Sequence, residues 1–83
     1  MVTKIKKIEA PWCCQCKVLD KTLDLIKNIE IEHVNVESLS DETLDKLKIK
    51  SLPVCLLYNE AGEQVGRFNG IMSLEEINRM ILQ

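Results

Sequence analysis

The sequence lacks any excess of positive charge. Eleven basic side chains face thirteen acidic ones, a net charge of −2, whereas a binder of nucleic acid or of an anionic membrane would need the reverse. A long apolar run is also missing. The longest strongly apolar stretch, Val54 to Tyr58, falls far short of the roughly 20 residues that span a bilayer. The N-terminus, M-V-T-K-I-K-K-I-E-A, has no apolar segment of signal-peptide length, which argues against secretion and makes the cytoplasm the expected compartment. Aromatic residues are scarce, with Trp12, Tyr58 and Phe68 the whole set. There are no internal repeats, low-complexity tracts or linkers, so residues 1–83 are read as one domain, too short for two cores. One histidine and no second C-x-x-C leave a closed four-ligand zinc site without enough ligands in a single chain.

What the chain does have is cysteine in one place. Cys13, Cys14 and Cys16 fall within four residues, and Cys55 stands alone. A secreted disulfide scaffold spreads its cysteines so that bridges close separate loops, and a bridge inside this cluster closes only a tiny one. In a reducing compartment, clustered thiols point to redox chemistry or to metal binding.

Hydrophobic patterning predicts the order β-α-β-α-β-β-α. Val2 to Glu9 reads as a strand carrying Ile5 and Ile8, though its three lysines make a poor central strand. After Ala10-Pro11-Trp12 a helix is expected from about Cys14 to Asn28, with Val18, Leu19, Thr22, Leu23, Leu25, Ile26 and Ile29 turned inward. Ile29 to Val36 reads as a second strand. Ser40 is a candidate N-cap for a short helix with Leu44 and Leu47 one turn apart. Val54 to Tyr58 and Gln64 to Phe68 form a hairpin across the turn Asn59-Glu60-Ala61-Gly62. Ser73-Leu74-Glu75-Glu76 is a capping-box pattern opening a last helix with Leu74, Ile77 and Ile81 on one face. The first half can form a parallel β-α-β unit, and the second adds an antiparallel hairpin to the same sheet.

Cys13 and Cys16 stand three apart at the predicted start of the first helix, on one face and close enough to bridge. A thiolate at Cys13 would gain from the unpaired N–H groups and the positive dipole end there. It would also sit at the helix edge, exposed to an incoming disulfide. Lowering a thiol pKa from ~8.5 to ~7 corresponds to about 2 kcal/mol, within reach of a helix terminus and one or two directed hydrogen bonds.

The motif W-C-C-Q-C-K, Trp12 to Lys17, resembles the thioredoxin active site Trp-Cys-x-x-Cys-Lys. Ser51-Leu52-Pro53-Val54 resembles the family's cis-proline loop, with Pro53 40 positions after Cys13. His33-Val34-Asn35-Val36-Glu37 is similar to the family's second strand, and Phe68-Asn69-Gly70 before the last helix resembles its C-terminal half. The resemblance covers almost the whole chain, at a size closer to glutaredoxins. It implies a minimal thioredoxin fold of class α/β, a four-stranded mixed sheet flanked by three helices.

The function it implies is thiol–disulfide exchange. Cys13 would attack a substrate disulfide, and Cys16, more buried, would resolve the mixed disulfide. Pro53, in cis, would face the pair, Leu52 would offer its backbone to an extended substrate segment, and Trp12 would be a flat apolar platform beside Cys13. No metal or organic cofactor is needed. The expected partners are protein disulfides and a dithiol electron donor such as a thioredoxin-reductase-type enzyme, with no nucleic acid and no membrane, and the chain is expected to be a monomer.

Several positions depart from the family. Cys14 and Gln15 replace the usual Gly-Pro, and Cys14 is read as accessory or inert. The buried acid that thioredoxins carry six residues before the first cysteine is here Lys7, and its partner lysine is His33. His33 or Glu9 then becomes a candidate base, against the plainer reading of His33 as a solvated strand residue. Lys4, Lys6 and Lys7 are read as solvated surface, and Cys55 as a small buried hydrophobe. Gly70-Ile71-Met72-Ser73 lacks the Gly-Gly and acidic residues with which glutaredoxins hold glutathione, which favours a protein disulfide as substrate. Two other readings stay open: a metal- or metalloid-binding module using Cys13, Cys14 and Cys16, and a non-catalytic thiol-sensing interaction domain.

Overall fold

The computed structural model describes residues 1–82. Strand β1 (Val2–Glu9) leads into helix α1 (Cys14–Leu23), strand β2 (Glu30–Asn35), a single 3₁₀ turn at Val36–Ser38 and helix α2 (Asp41–Lys46). Strands β3 (Val54–Asn59) and β4 (Gln64–Asn69) and helix α3 (Leu74–Ile81) complete the order. The four strands form one mixed sheet in the order β2-β1-β3-β4. β1 runs parallel to β2, while β3 is antiparallel to both β1 and β4. This is the α/β architecture of a minimal thioredoxin fold, with α1 and α3 on one face of the sheet and α2 on the other. Among the described residues no helix is long and apolar enough to cross a membrane.

The core follows from strand alternation. Ile5, Cys55, Leu57 and Phe68 point to one face and meet Leu19 and Leu23 of α1 and Ile77 and Ile81 of α3. Ile8, Val54 and Leu56 point to the opposite face, under Leu47 and Ile49 at the end of α2. Cys55, on the face that α1 and α3 cover, is fully buried as a packing residue.

Three sequence expectations are corrected by this architecture. β1 is a central strand despite its lysines, because each lysine finds a partner. Lys4 reaches Glu32 at 2.7 Å across the parallel pairing, Lys6 lies over the Tyr58 ring, and Lys7 is drawn inward. The first helix ends at Leu23 rather than Asn28. Beyond it, the N–H groups of Leu25 and Ile26 bond three residues back, to Thr22 and Leu23, and Asn28 turns left-handed at φ 66°. Val18 and Leu25, expected to face inward, are 48% and 64% exposed.

The helix caps are as the side chains dictate. The Ser40 hydroxyl accepts from the Thr43 N–H at 3.1 Å, and α2 closes on Lys48 at φ 54° with Ile49 N–H bonded to the Leu44 carbonyl, a Schellman arrangement. Arg67 of β4 donates to the carbonyls of Leu47 and Lys48 and so ties that helix end to the sheet. At the start of α3 the Ser73 hydroxyl accepts from the Glu76 N–H at 3.2 Å and donates to Glu76 Oε1 at 3.1 Å. Ser73→Ala is expected to lower stability by about 1 kcal/mol, or roughly 4–8 °C in Tm for a domain of this size. Thermal unfolding followed by circular dichroism checks this, and an unchanged midpoint would remove the cap from the stabilising terms.

Candidate active site

Cys13 is the N-cap of α1. Its extended backbone, φ −91° and ψ 105°, stops the chain from continuing the helix backwards, and its Sγ accepts the Cys16 N–H at 3.2 Å. Its own N–H closes a turn onto the Ala10 carbonyl. The sulfur therefore occupies the place where a capping oxygen would otherwise satisfy an orphan helix N–H. Cys13 and Cys16 are disulfide-bonded, with Cα atoms 5.3 Å apart.

Cys13 is 8% exposed and Cys16 2%. The expected order holds, with Cys13 the more accessible, but the expected open position at the helix edge does not. Ala10, Val36 and Leu52 pack around the pair. Leu52 belongs to the loop before β3, where the Leu52–Pro53 peptide is cis and the Pro53 carbonyl accepts the Gly70 N–H at 2.8 Å. Trp12, 69% exposed, stands beside the pair and lines a groove of about 270 Å³ together with Val36, Leu44, Ile49 and Leu52. The structure thus brings Trp12, Cys13, Cys16, Leu52 and Pro53 to one end of the sheet. Cys14 points outward and is exposed and unbridged.

Behind the pair lies a feature the sequence reading placed wrongly. Lys7 is not solvated surface: it is fully buried. Its Nζ lies 2.6 Å from Glu9 Oε1 and 2.6 Å from Asp20 Oδ1. His33 Nδ1 is 2.8 Å from the same Glu9 oxygen and 3.9 Å from Asp20 Oδ1. The signal was present in the alternation of β1, since Ile5 faces the core and Lys7 is two residues on. Asp20, one turn after Cys16, was not singled out at all. Partial burial pushes the Glu9 carboxyl upward, but hydrogen bonds from Lys7 and His33 outweigh it and leave the pKa below the ordinary value. Glu9, Asp20 and His33 place ligand-type atoms within 4.8 Å of one another. The Lys7 ammonium touches both carboxylates and is itself the cation of that cluster.

Cys55 pairs with Lys7 in the sheet register. Burial pushes its thiol up to about 12, a rise the Lys7 charge only partly offsets, so it stays a protonated packing group at neutral pH.

The fold is shared with solved structures at low identity. A thioredoxin-2 described as a component of the malaria parasite's protein secretion machinery superposes with a TM-score of 0.76 at 21% identity, over 98% of this chain and 82% of that one. A single-site mutant of a thioredoxin from Halobacterium salinarum gives 0.78 at 17% identity, over 94% and 70%. Thioredoxin 1 of Thermosipho africanus gives 0.75 at 19% identity, over 96% and 91%. These likenesses bear on the fold. No curated protein matches the chain. The fold and the bridged Cys13–Cys16 pair support thiol–disulfide chemistry in general terms. A family model described as the thioredoxin-like domain matches residues 4–83, and the chain belongs to that family.

Proposed function

We propose that the protein is a thiol–disulfide oxidoreductase that reduces protein disulfides through Cys13 and Cys16. The observation that carries this reading is the bridged pair at the start of α1, with the Cys13 sulfur accepting a helix N–H and the pair packed against Leu52 of the cis-Pro53 loop. The N–H that meets the sulfur in the bridged state also stabilises a thiolate once the bridge is reduced. Cys13 thiolate then attacks one sulfur of a substrate disulfide, and the other substrate sulfur leaves as a thiolate. Cys16 next attacks Cys13, re-forms the bridge and releases the second substrate thiol. A dithiol donor, such as a thioredoxin-reductase-type enzyme, returns two electrons to the pair.

Trp12 and Leu52 supply apolar contact to the substrate, and the Leu52 backbone pairs with an extended segment of it. Cys14 stands outside the pair. A single-domain cytoplasmic monomer without metal or organic cofactor fits this role.

The Cys16→Ser variant tests it. With resolution blocked, reduced Cys16→Ser mixed with insulin is expected to accumulate a covalent insulin adduct on Cys13, visible by mass spectrometry and released by dithiothreitol. A protein that forms no such adduct, with Cys13 free and reduced, would not be a disulfide reductase.

A further inference from the structure

Cys16 must lose its proton before it can attack, and at 2% exposure it has almost no contact with water. The acceptor therefore has to come from the protein. On α1 the residue one turn on, at i+4 and on the same helix face, is Asp20. Lys17 and Lys21, its neighbours in sequence, are exposed cations. On the strands behind the helix the titratable groups are Lys7 and Glu9 of β1, His33 of β2 and Cys55 of β3. Lys7 is an ammonium between two carboxylates and has no free lone pair to accept with. Cys55 is a buried thiol. Glu9 Oε1 already accepts from both Lys7 and His33.

We propose that Asp20, oriented by the buried Lys7 ammonium, takes the proton of the resolving thiol Cys16, and that the charge on His33 tunes this step. The inference rests on the exchange reading above. In the step, the Cys16 S–H bond breaks and the proton passes to the Asp20 carboxylate. The thiolate forms the Cys13–Cys16 bond, and the bond from Cys13 to the substrate sulfur breaks. Its electron pair leaves on the substrate thiolate, which takes a proton from water. The transfer to Asp20 is uphill and transient, because the thiolate is consumed as the new bond forms.

Lys7, Glu9 and His33 are positioning residues. When His33 is neutral, Lys7 divides its attraction between Glu9 and Asp20. When His33 is protonated, the imidazolium lies 3.9 Å from Asp20 Oδ1 and binds Glu9 more strongly. Lys7 then leans on Asp20, and both cations make it a poorer acceptor. Resolution is therefore slower when His33 carries its proton.

Stopped-flow reaction with the chromogenic disulfide dithiobis-nitrobenzoate separates the two thiols. The first release of chromophore reports attack by Cys13, and the second reports resolution by Cys16. A Cys14→Ser background removes the exposed competing thiol. Asp20→Asn is expected to slow the second phase by about 100-fold, the scale of a lost general base, with the first phase unchanged. His33→Gln, at a half-exposed site that does not threaten folding, is expected to remove the acid inflection from the ratio of the two rates. An unchanged second phase in folded Asp20→Asn, or an unchanged pH profile in His33→Gln, overturns the proposal. If the parent itself shows no second phase and matches Cys16→Ser, the exchange reading fails instead.

Discussion

Cys13→Ser is expected to lose the whole catalysed rate of dithiothreitol-dependent insulin reduction, leaving the turbidity trace of reductant alone. The chemistry requires a thiolate, and a serine hydroxyl supplies no comparable nucleophile at neutral pH. The same substitution leaves the fold intact, for a reason specific to this position. The Cys13 sulfur caps α1 by accepting the Cys16 N–H, and serine is among the best N-cap residues. The variant therefore keeps or improves its helix start while losing its nucleophile, so a loss of activity cannot be ascribed to unfolding. Overlapping turbidity traces for parent and variant would remove Cys13 from the reaction.

Lys7→Met is expected to give the largest loss of stability, about 2–3 kcal/mol at pH 7. Removing one partner of a buried ion pair costs roughly 3–5 kcal/mol, and the value is reduced here because Glu9 and Asp20 remain 28% and 36% exposed. For a domain of this size that corresponds to a fall of roughly 10–20 °C in Tm. The pH dependence has a definite sign. In the parent the Glu9 pKa is depressed in the folded state, so it contributes stability above its ordinary value of 4.5 that is lost as the pH falls through the depressed value. In Lys7→Met the desolvation that raises this pKa is opposed only by His33, and the two carboxylates face each other without the ammonium. Protonation then relieves the variant more than the parent, and the gap between them narrows below about pH 4.5. Urea unfolding at pH 7 and pH 4 measures it. A gap that stayed constant or widened at the lower pH would contradict the assigned pairing.

Most of the frame was legible because it depends on local chemistry. Ser40 and Ser73 announce helix starts through their hydroxyls, and the apolar run from Val54 admits little but a buried strand. The pair itself was legible from spacing, since i and i+3 at a helix start must share a face. What was not legible depends on partners distant in sequence. A lysine in a strand reads as solvent-facing until its acids are known, and those of Lys7 come from two elements, Glu9 beside it and Asp20 thirteen residues on. The early end of α1 was hidden for a related reason: Leu25 and Ile26 continue the helical spacing, yet the chain has to turn at Asn28 to bring β2 alongside β1. Cys13 was expected in the open because helix termini usually are, and its covering residues, Val36 and Leu52, come from other elements.

The short helix α2 has a bearing on how the molecule breathes. None of its six residues is fully buried, and it is held by its two caps and by the Arg67 guanidinium. Segments with so little buried contact lie at the low end of the ladder of local unfolding free energies. Leu44 of this helix and Ile49 just after it form one wall of the groove beside Trp12 and Leu52. Opening of α2 therefore widens the groove while the sheet and the sulfur pair stay fixed. The mouth of the groove is elastic and its floor is stiff, so under the proposed exchange role substrates of different bulk would enter without loosening the geometry of the thiols.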